Sequence, residues 1–360
     1  MRKLRVAMLG FEHVHAVSMY DVFSRYPDRY ELLGCAEFPP REGEIPEDPA
    51  ERKKRVLGQR PLALVRDWRE LLDRKPDLAV VCSNIARYAD IAEETLGRKI
   101  PTVVEKPMAI RYGDGLRMAR AARRAGVTLA VNWPVAWFDS FRKVRELTAE
   151  GKIGRILRVH YRSPATVGPY DPGTLSEEEM QKLFWYHREL GGGSACDYAC
   201  YGCTLATWLF GRRAERVAGI RKNFFLPFSD VEDYTAYTLD FGDGVALIEG
   251  SWSTLNNGEV PTGPVVYGSE GVIVADRYRS EVKVYRRFSH QNTEPDEVYT
   301  AAPWNATTDD LAKHLYRHLT SGEPLYELLA PDFNLDALAA LDAGIRASFT
   351  GAFESTEKEN

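Results

Sequence analysis

TVVEKPMAI, residues 102–110, is a short apolar run that stops at Glu105-Lys106-Pro107. Proline has no N–H for a ladder and holds the preceding residue in an extended conformation, so the strand ends there. One ammonium is thereby aimed at the carboxyl edge of the sheet, where open α/β folds bind their ligands. Outward from this strand, LRVAMLG (4–10), YELLGCAE (30–37), DLAVVCS (77–83) and TLAVNW (128–133) are further short β-rich runs. Between them DWRELLDR, DIAEETLGR and DGLRMARAARRAG carry apolar residues at helical spacing. The alternation predicts a Rossmann-like α/β domain over 1–133, a parallel sheet with helices on both faces.

Past Trp133 the rhythm changes. FRKVRELTAEGKIG (141–154) reads as a helix and its cap. RILRVHYRS, AERVAGIRKNFF, DYTAYTLDF, GVALIEGSW and EVKVYRRF then alternate apolar with polar as half-buried antiparallel strands do. An α+β domain over 134–307 follows, with Gly-Asp-Gly at 242–244 as a hairpin turn. DDLAKHLYRHLTSG and FNLDALAALDAGIRASF give two helices in a closing segment, 308–360, that ends in the polar tail ESTEKEN.

A chain of 360 residues with 44% apolar and 28% charged content has the make-up of a soluble protein of two domains. A net charge of −5 gives no reason to expect nucleic acid, and RKKR (52–55) and ARRA (122–125) read as solvated helix faces. With no apolar run near membrane length and no secretion signal, the expected compartment is the cytoplasm, with five reduced cysteines and no disulfide.

The first strand is followed by Gly10-Phe-Glu-His-Val-His, which keeps only the first glycine of the dinucleotide fingerprint G-x-G-x-x-G. Glu12 would repel a pyrophosphate unless its side chain turns away. Glu37, at the tip of the second strand, can accept both hydroxyls of an adenosine ribose. His13-x-His15 is the opening of some metal-binding barrels, but the further histidines and aspartate at later strand ends are missing: His160 lies in a strand pattern, His290 in a polar loop, and His314 and His318 in a helix. No metal is expected. GGGSACDYACYGC (191–203) places Asp197 and Tyr201 at i and i+4, neighbours on one face if 195–210 is one helix. Cys196, Cys200 and Cys203 fall on an adjacent stripe, where packing explains them better than an iron–sulfur cluster, which needs a loop.

These segments in this order, with LTAEGKIGRILRV, LFG and GSEGVIV, resemble the Gfo/Idh/MocA oxidoreductases, named after glucose-fructose oxidoreductase, inositol dehydrogenase and MocA. The resemblance implies a nicotinamide cofactor on the first domain, NAD rather than NADP given Glu37. It also implies a large open, mainly antiparallel sheet in the second domain, which floors the substrate site and joins homodimers or homotetramers. Lys106 falls on the family's E-K-P lysine, which meets cofactor and substrate hydroxyl, and Asp197 and Tyr201 on its G-G-G-x-x-x-D-x-G-x-H motif, with tyrosine for histidine. Gly10, Phe11, Glu37, Ser83, Asn84, Glu105 and Lys106 are then the expected cofactor contacts. Trp133, Trp137, Arg162 and His187 are pocket candidates by position alone. The implied activity is hydride transfer between nicotinamide and a hydroxyl or carbonyl carbon of a sugar, sugar acid or cyclitol, with Lys106 and Tyr201 moving the proton. A silent NAD-binding regulator and an NAD-assisted, redox-neutral glycosidase are the alternatives.

Overall fold

The computed structural model describes residues 2–41, 44, 46–164, 168–170, 173–254, 262–286, 293–302 and 309–357; His290 lies outside them. Strands β1 (Leu4–Leu9), β2 (Tyr30–Ala36), β3 (Leu64–Val65), β4 (Leu78–Val81), β5 (Thr102–Glu105) and β6 (Leu129–Asn132) form one sheet in the order β3-β2-β1-β4-β5-β6, every pair parallel. Helices α1 (Ala16–Ser24), α2 (Pro49–Leu57), α3 (Trp68–Asp73), α4 (Tyr88–Gly97) and α5 (Tyr112–Ala125) connect them. Every residue of β4, β5 and β6 is buried, as in a sheet covered on both faces. The strand order of a doubly wound fold brings Gly10, Glu37, Ser83, Lys106 and Trp133 out on one carboxyl edge. The two-residue β3 is too short for a sequence pattern to predict.

Helix α6 (Asp139–Ala149) leads into β7 (Ile156–Pro164); the short α7 (Glu177–Met180) and α8 (Cys200–Phe210) precede the remaining strands. These are β8 (Arg216–Lys222), β9 (Tyr234–Asp240), β10 (Val245–Ser251), β11 (Val265–Gly268), β12 (Val272–Val274), β13 (Glu281–Tyr285), β14 (Glu297–Thr300) and β15 (Glu354–Ser355). The nine strands run β14-β13-β12-β11-β7-β10-β9-β8-β15. The sheet is mostly antiparallel, but β7 and β10 pair in parallel, with Arg158 beside Val245, because α8 and the β8–β9 ribbon lie between them in the chain. Gly242 to Gly244 make the expected hairpin, with the Phe241 N–H donating to the Gly244 carbonyl at 2.8 Å.

Helices α9 (Leu311–Ser321) and α10 (Pro331–Thr350) close the chain. α10 packs against α5 of the first sheet's layer and against α8 and β8 of the second. A Cβ on Gly115 of α5 would lie 2.5 Å from Leu338, and one on Gly344 of α10 would lie 2.8 Å from the Tyr237 ring. The polar tail is partly structured: Glu354–Ser355 pairs antiparallel with β8, and the buried Thr356 hydroxyl bonds to the Ala214 carbonyl. Composition could not reveal this, since the strand is held by its backbone and not by apolar side chains. No helix among the described residues is long and apolar enough to cross a membrane.

Candidate functional site

The lysine at the end of β5 is 1% exposed, and it does not stand alone. Lys106 Nζ donates to Asp197 Oδ1 and to the Asp197 main-chain carbonyl, both at 2.7 Å. The other carboxylate oxygen of Asp197 accepts from Trp252 Nε1 at 3.0 Å. Burial by itself would depress the Lys106 pKa, but the Asp197 carboxylate, Tyr201 and Cys200 outweigh it and hold the ammonium protonated beyond the usual lysine range.

The segment carrying Asp197 is not the continuous α-helix that its spacing predicts. Ala195–Ala199 form a π-helical turn, and α8 begins at Cys200. Glu232 fixes this turn by accepting from the Ala195 N–H at 2.9 Å, while Gly193, at φ +96, admits the chain beside the same carboxylate. The widened turn leaves the Asp197 carbonyl able to take the charge-assisted bond from Lys106, and such turns recur at functional sites.

Tyr201 joins the pair through its ring rather than its hydroxyl. Lys106 Nζ lies 4.7 Å from the ring centre, and the Arg277 guanidinium lies 5.2 Å from it. The sequence alone suggests that a neighbouring cation lowers the phenol pKa; here burial dominates, and the Tyr201 pKa is raised in spite of Lys106 and Arg277. The nearby Cys196, Cys200 and Cys203 are free and buried, and burial pushes the Cys200 thiol up to about 12.

At the cofactor edge Gly10, at φ +75, closes on β4: a Cβ there would lie 2.9 Å from the Ser83 backbone. The Phe11 N–H donates to Glu37 Oε1 at 2.8 Å, and Arg52 donates to Glu37 Oε2 at 3.1 Å. Arg52 is therefore buried against carboxylates and not on a solvated helix face, as its basic run suggested. Arg41 instead pairs with Asp90. Burial, with repulsion from Glu12 and only partial compensation from Arg52, raises the Glu37 pKa to about 8. Glu12 turns inward, accepting from the Ser83 hydroxyl at 2.7 Å and from the Asn84 N–H at 2.9 Å, with Arg52 3.5 Å away.

A cavity of about 780 Å³ opens outside β1, β2 and β3, lined among others by Glu12, Glu37, Phe38, Arg52, Trp68 and His187. The tight Gly10 turn, the carboxylate at the tip of β2 and this volume fit the adenosine half of a dinucleotide. Phe184 borders the cavity, lies tilted against Trp185 with ring centres 4.3 Å apart, and both rings pack on His13.

His13, His15 and Glu105 bring one ligand atom each within 4.8 Å of one another. His13 Nδ1 accepts from the His15 N–H at 3.1 Å, while its Nε2 is buried without a partner among the described residues. Burial, His15 and Lys106 all hold the His13 pKa well below normal. His15 Nδ1 meets Glu105 Oε2 at 3.0 Å, and Asn132 donates to Glu105 Oε1 at 2.6 Å. The trio is a hydrogen-bonded scaffold behind the lysine.

Of the four pocket candidates, Trp133 backs Tyr201 edge-on at 5.4 Å, its indole N–H held by Asn334 at 2.6 Å. His187 lines the cofactor cavity. Trp137 packs on His314 and Tyr326, and Arg162 pairs with Glu249 on the open face of the second sheet; the structure does not bring these two to Lys106. On β7 alternation turns Arg162 to the open face, whereas Trp137 ends the single turn Pro134–Trp137 and packs toward α9. Trp252, Trp185, Arg52 and Arg277 were missed, because their roles depend on contacts with residues far away in sequence. Two basic residues in an otherwise regular pattern carried no local signal.

A doubly wound parallel sheet with a buried lysine at its carboxyl edge, closed by a helix from a large mixed sheet, defines a Rossmann-type oxidoreductase. Comparison with known proteins agrees. Residues 46–133 match the oxidoreductase family's NAD-binding Rossmann fold, and 141–274 match the GFO/IDH/MocA C-terminal domain. The chain belongs to the Gfo/Idh/MocA oxidoreductase family. It is 24% identical to the uncharacterized oxidoreductase YrbE of Bacillus subtilis, over 60% of each chain. It is also 24% identical to myo-inositol 2-dehydrogenase of Thermotoga maritima, over 48% of each. The chain thus matches less than two thirds of the length of either relative. In fold it resembles the WlbA dehydrogenase of Bordetella pertussis, solved with NADH and UDP-GlcNAcA, with a TM-score of 0.74, 18% identity, and 99% of this chain and 100% of that one covered. The matched Rossmann span begins beyond the glycine-poor first loop.

Proposed function

We propose that this protein is an NAD(H)-dependent oxidoreductase acting on a hydroxyl or carbonyl carbon of a polyhydroxylated small molecule, a sugar, sugar acid or cyclitol. The observation that carries the reading is the buried Lys106–Asp197 pair against Tyr201. When bound, NAD supplies the hydride acceptor. Gly10 and Glu37 hold the adenosine end, with Arg52, Ser83 and Asn84 facing the pyrophosphate once Glu12 withdraws. Glu105, fixed by Asn132 and His15, sets the direction in which Lys106 leaves the strand. Lys106 and Tyr201 both rest protonated, so the pair is ready to protonate a carbonyl and must shed a proton before it can accept one from an alcohol. The myo-inositol 2-dehydrogenase relative supports a cyclitol or sugar as substrate. The near-complete burial of Lys106 favours, as a second reading, a cofactor-binding regulator without turnover. A screen of sugars, sugar acids and inositols with NAD and NADP separates the two, since only the enzyme releases NADH in bulk. The apolar open face of the second sheet, with Ile220 52% and Leu247 42% exposed, supports a homo-oligomer joined through that face.

Two expectations follow from the charges. Alcohol oxidation should rise with pH, and Tyr201→Phe should slow it and change its pH profile with little change in packing volume. An unaltered rate and profile would leave Tyr201 as a wall and Lys106 as the sole proton carrier. Glu37 should also make the cofactor choice depend on pH. Its folded pKa lies above the ordinary carboxylate value, so it is protonated below about 8 and repels a 2′-phosphate only above that. The ratio of NADP to NAD dissociation constants should therefore climb between pH 7 and 9 in calorimetric titrations, and a flat ratio would remove Glu37 from cofactor choice.

A further inference from the structure

Beside Tyr201 sits a second cation that the chemistry above does not use. Arg277 follows β12 and is half-buried, its guanidinium over the rings of Phe138, Tyr201 and Tyr278 at 5.7, 5.2 and 5.6 Å. Its side chain has one polar contact among the described residues, a long 3.4 Å approach of Nη1 to the Ser163 hydroxyl. No carboxylate among those residues pairs with it. Its neighbour Asp276 is committed elsewhere, accepting from the Thr262 N–H and hydroxyl and from the Tyr278 N–H. The Lys106 charge is met by Asp197, so among the described residues the site around Tyr201 carries one positive charge without a paired carboxylate.

A guanidinium withdrawn from water without a partner is costly, whereas its planar fork matches a carboxylate in two parallel bonds. Stacking on aromatic faces offsets part of that cost and does not engage the N–H edge, which stays available to an anion. Both cations abut the same tyrosine ring, so a sugar-sized molecule whose hydroxyl reaches Lys106 can reach Arg277 with another of its groups.

We infer that Arg277 is the seat of a substrate carboxylate, which narrows the substrate class to sugar acids or other polyhydroxylated carboxylates. The inference rests on the oxidoreductase reading for its reaction, but not for its binding. The test is calorimetric titration, in the presence of NADH, of D-glucuronate and D-gluconate against D-glucose, myo-inositol and D-glucose 6-phosphate. The wild-type protein should bind one of the acids at least about tenfold more tightly than its neutral counterpart, and more weakly as salt is added. In Arg277→Met that preference should fall to near one. Arg277→Lys, which keeps the charge but loses the fork and guards against a misfolded methionine variant, should keep only part of it. Equal binding of acid and neutral sugars by the wild type, binding of none of the acids, preference for the phosphate, or a preference retained in Arg277→Met would each overturn the inference and leave Arg277 as an aromatic-stacking strut. Arg277-dependent acid binding without NADH release would instead remove the dehydrogenase reading and leave the carboxylate site standing. Oxidation of neutral sugars alone would do the reverse.

Discussion

Lys106→Ala is expected to lower turnover by about 10²- to 10⁴-fold, the usual worth of a positioned acid–base group, while NAD still binds. The lysine is held by both a carboxylate and a main-chain carbonyl, so on the proposed mechanism alanine removes the proton carrier and the charge that would orient a substrate hydroxyl. Single-turnover hydride transfer, on the first substrate the screen yields, is the measurement. A rate within a few-fold of the wild type would make Lys106 a buried strut. Cofactor affinity should change far less, because the cavity at Glu37 does not include Lys106.

Asp197→Asn should act mainly on stability. It leaves the Lys106 ammonium buried beside a neutral amide, and breaking a buried ion pair on one side costs about 3–5 kcal/mol. For a chain of this size that is a fall in Tm of roughly 4–7 °C. The pH dependence gives the sign. In the wild type the Lys106 pKa is raised, so its stabilisation is complete below the ordinary lysine pKa and is lost only as pH climbs through the higher folded value. In the variant, burial without the counter-charge lowers the lysine pKa, and the folded state sheds the proton first. The deficit in Tm should therefore shrink as pH rises from 6 to 9.5. A constant deficit would assign the loss to the Trp252 hydrogen bond rather than to the charge.

The parallel sheet was legible because five of its strands are short, largely apolar runs separated by helical patterns, and because the lysine before Pro107 marks the edge on which they all finish. The pairing of Lys106 with Asp197 and Tyr201 came from the family resemblance of their motifs, because the continuous helix that the spacing of four predicted is not the one formed. The π turn was not: it depends on Glu232, which reaches Ala195 from a distant strand. The protonation state of Tyr201 was misjudged because proximity of a cation is visible in a motif and burial is not. Arg52 and Arg277 look alike in sequence to the many arginines on the surface. Only the fold separates one that caps Glu37 from one that lies among aromatic rings with no carboxylate beside it among the described residues.

Helix α10 reaches into both layers, meeting α5 where Gly115 leaves no room for a methyl group and the Tyr237 ring at Gly344. A rigid rod wedged at two glycines cannot follow one sheet without dragging the other. The two sheets are therefore expected to unfold in a single transition, which one calorimetric peak would show and two separate peaks would refute.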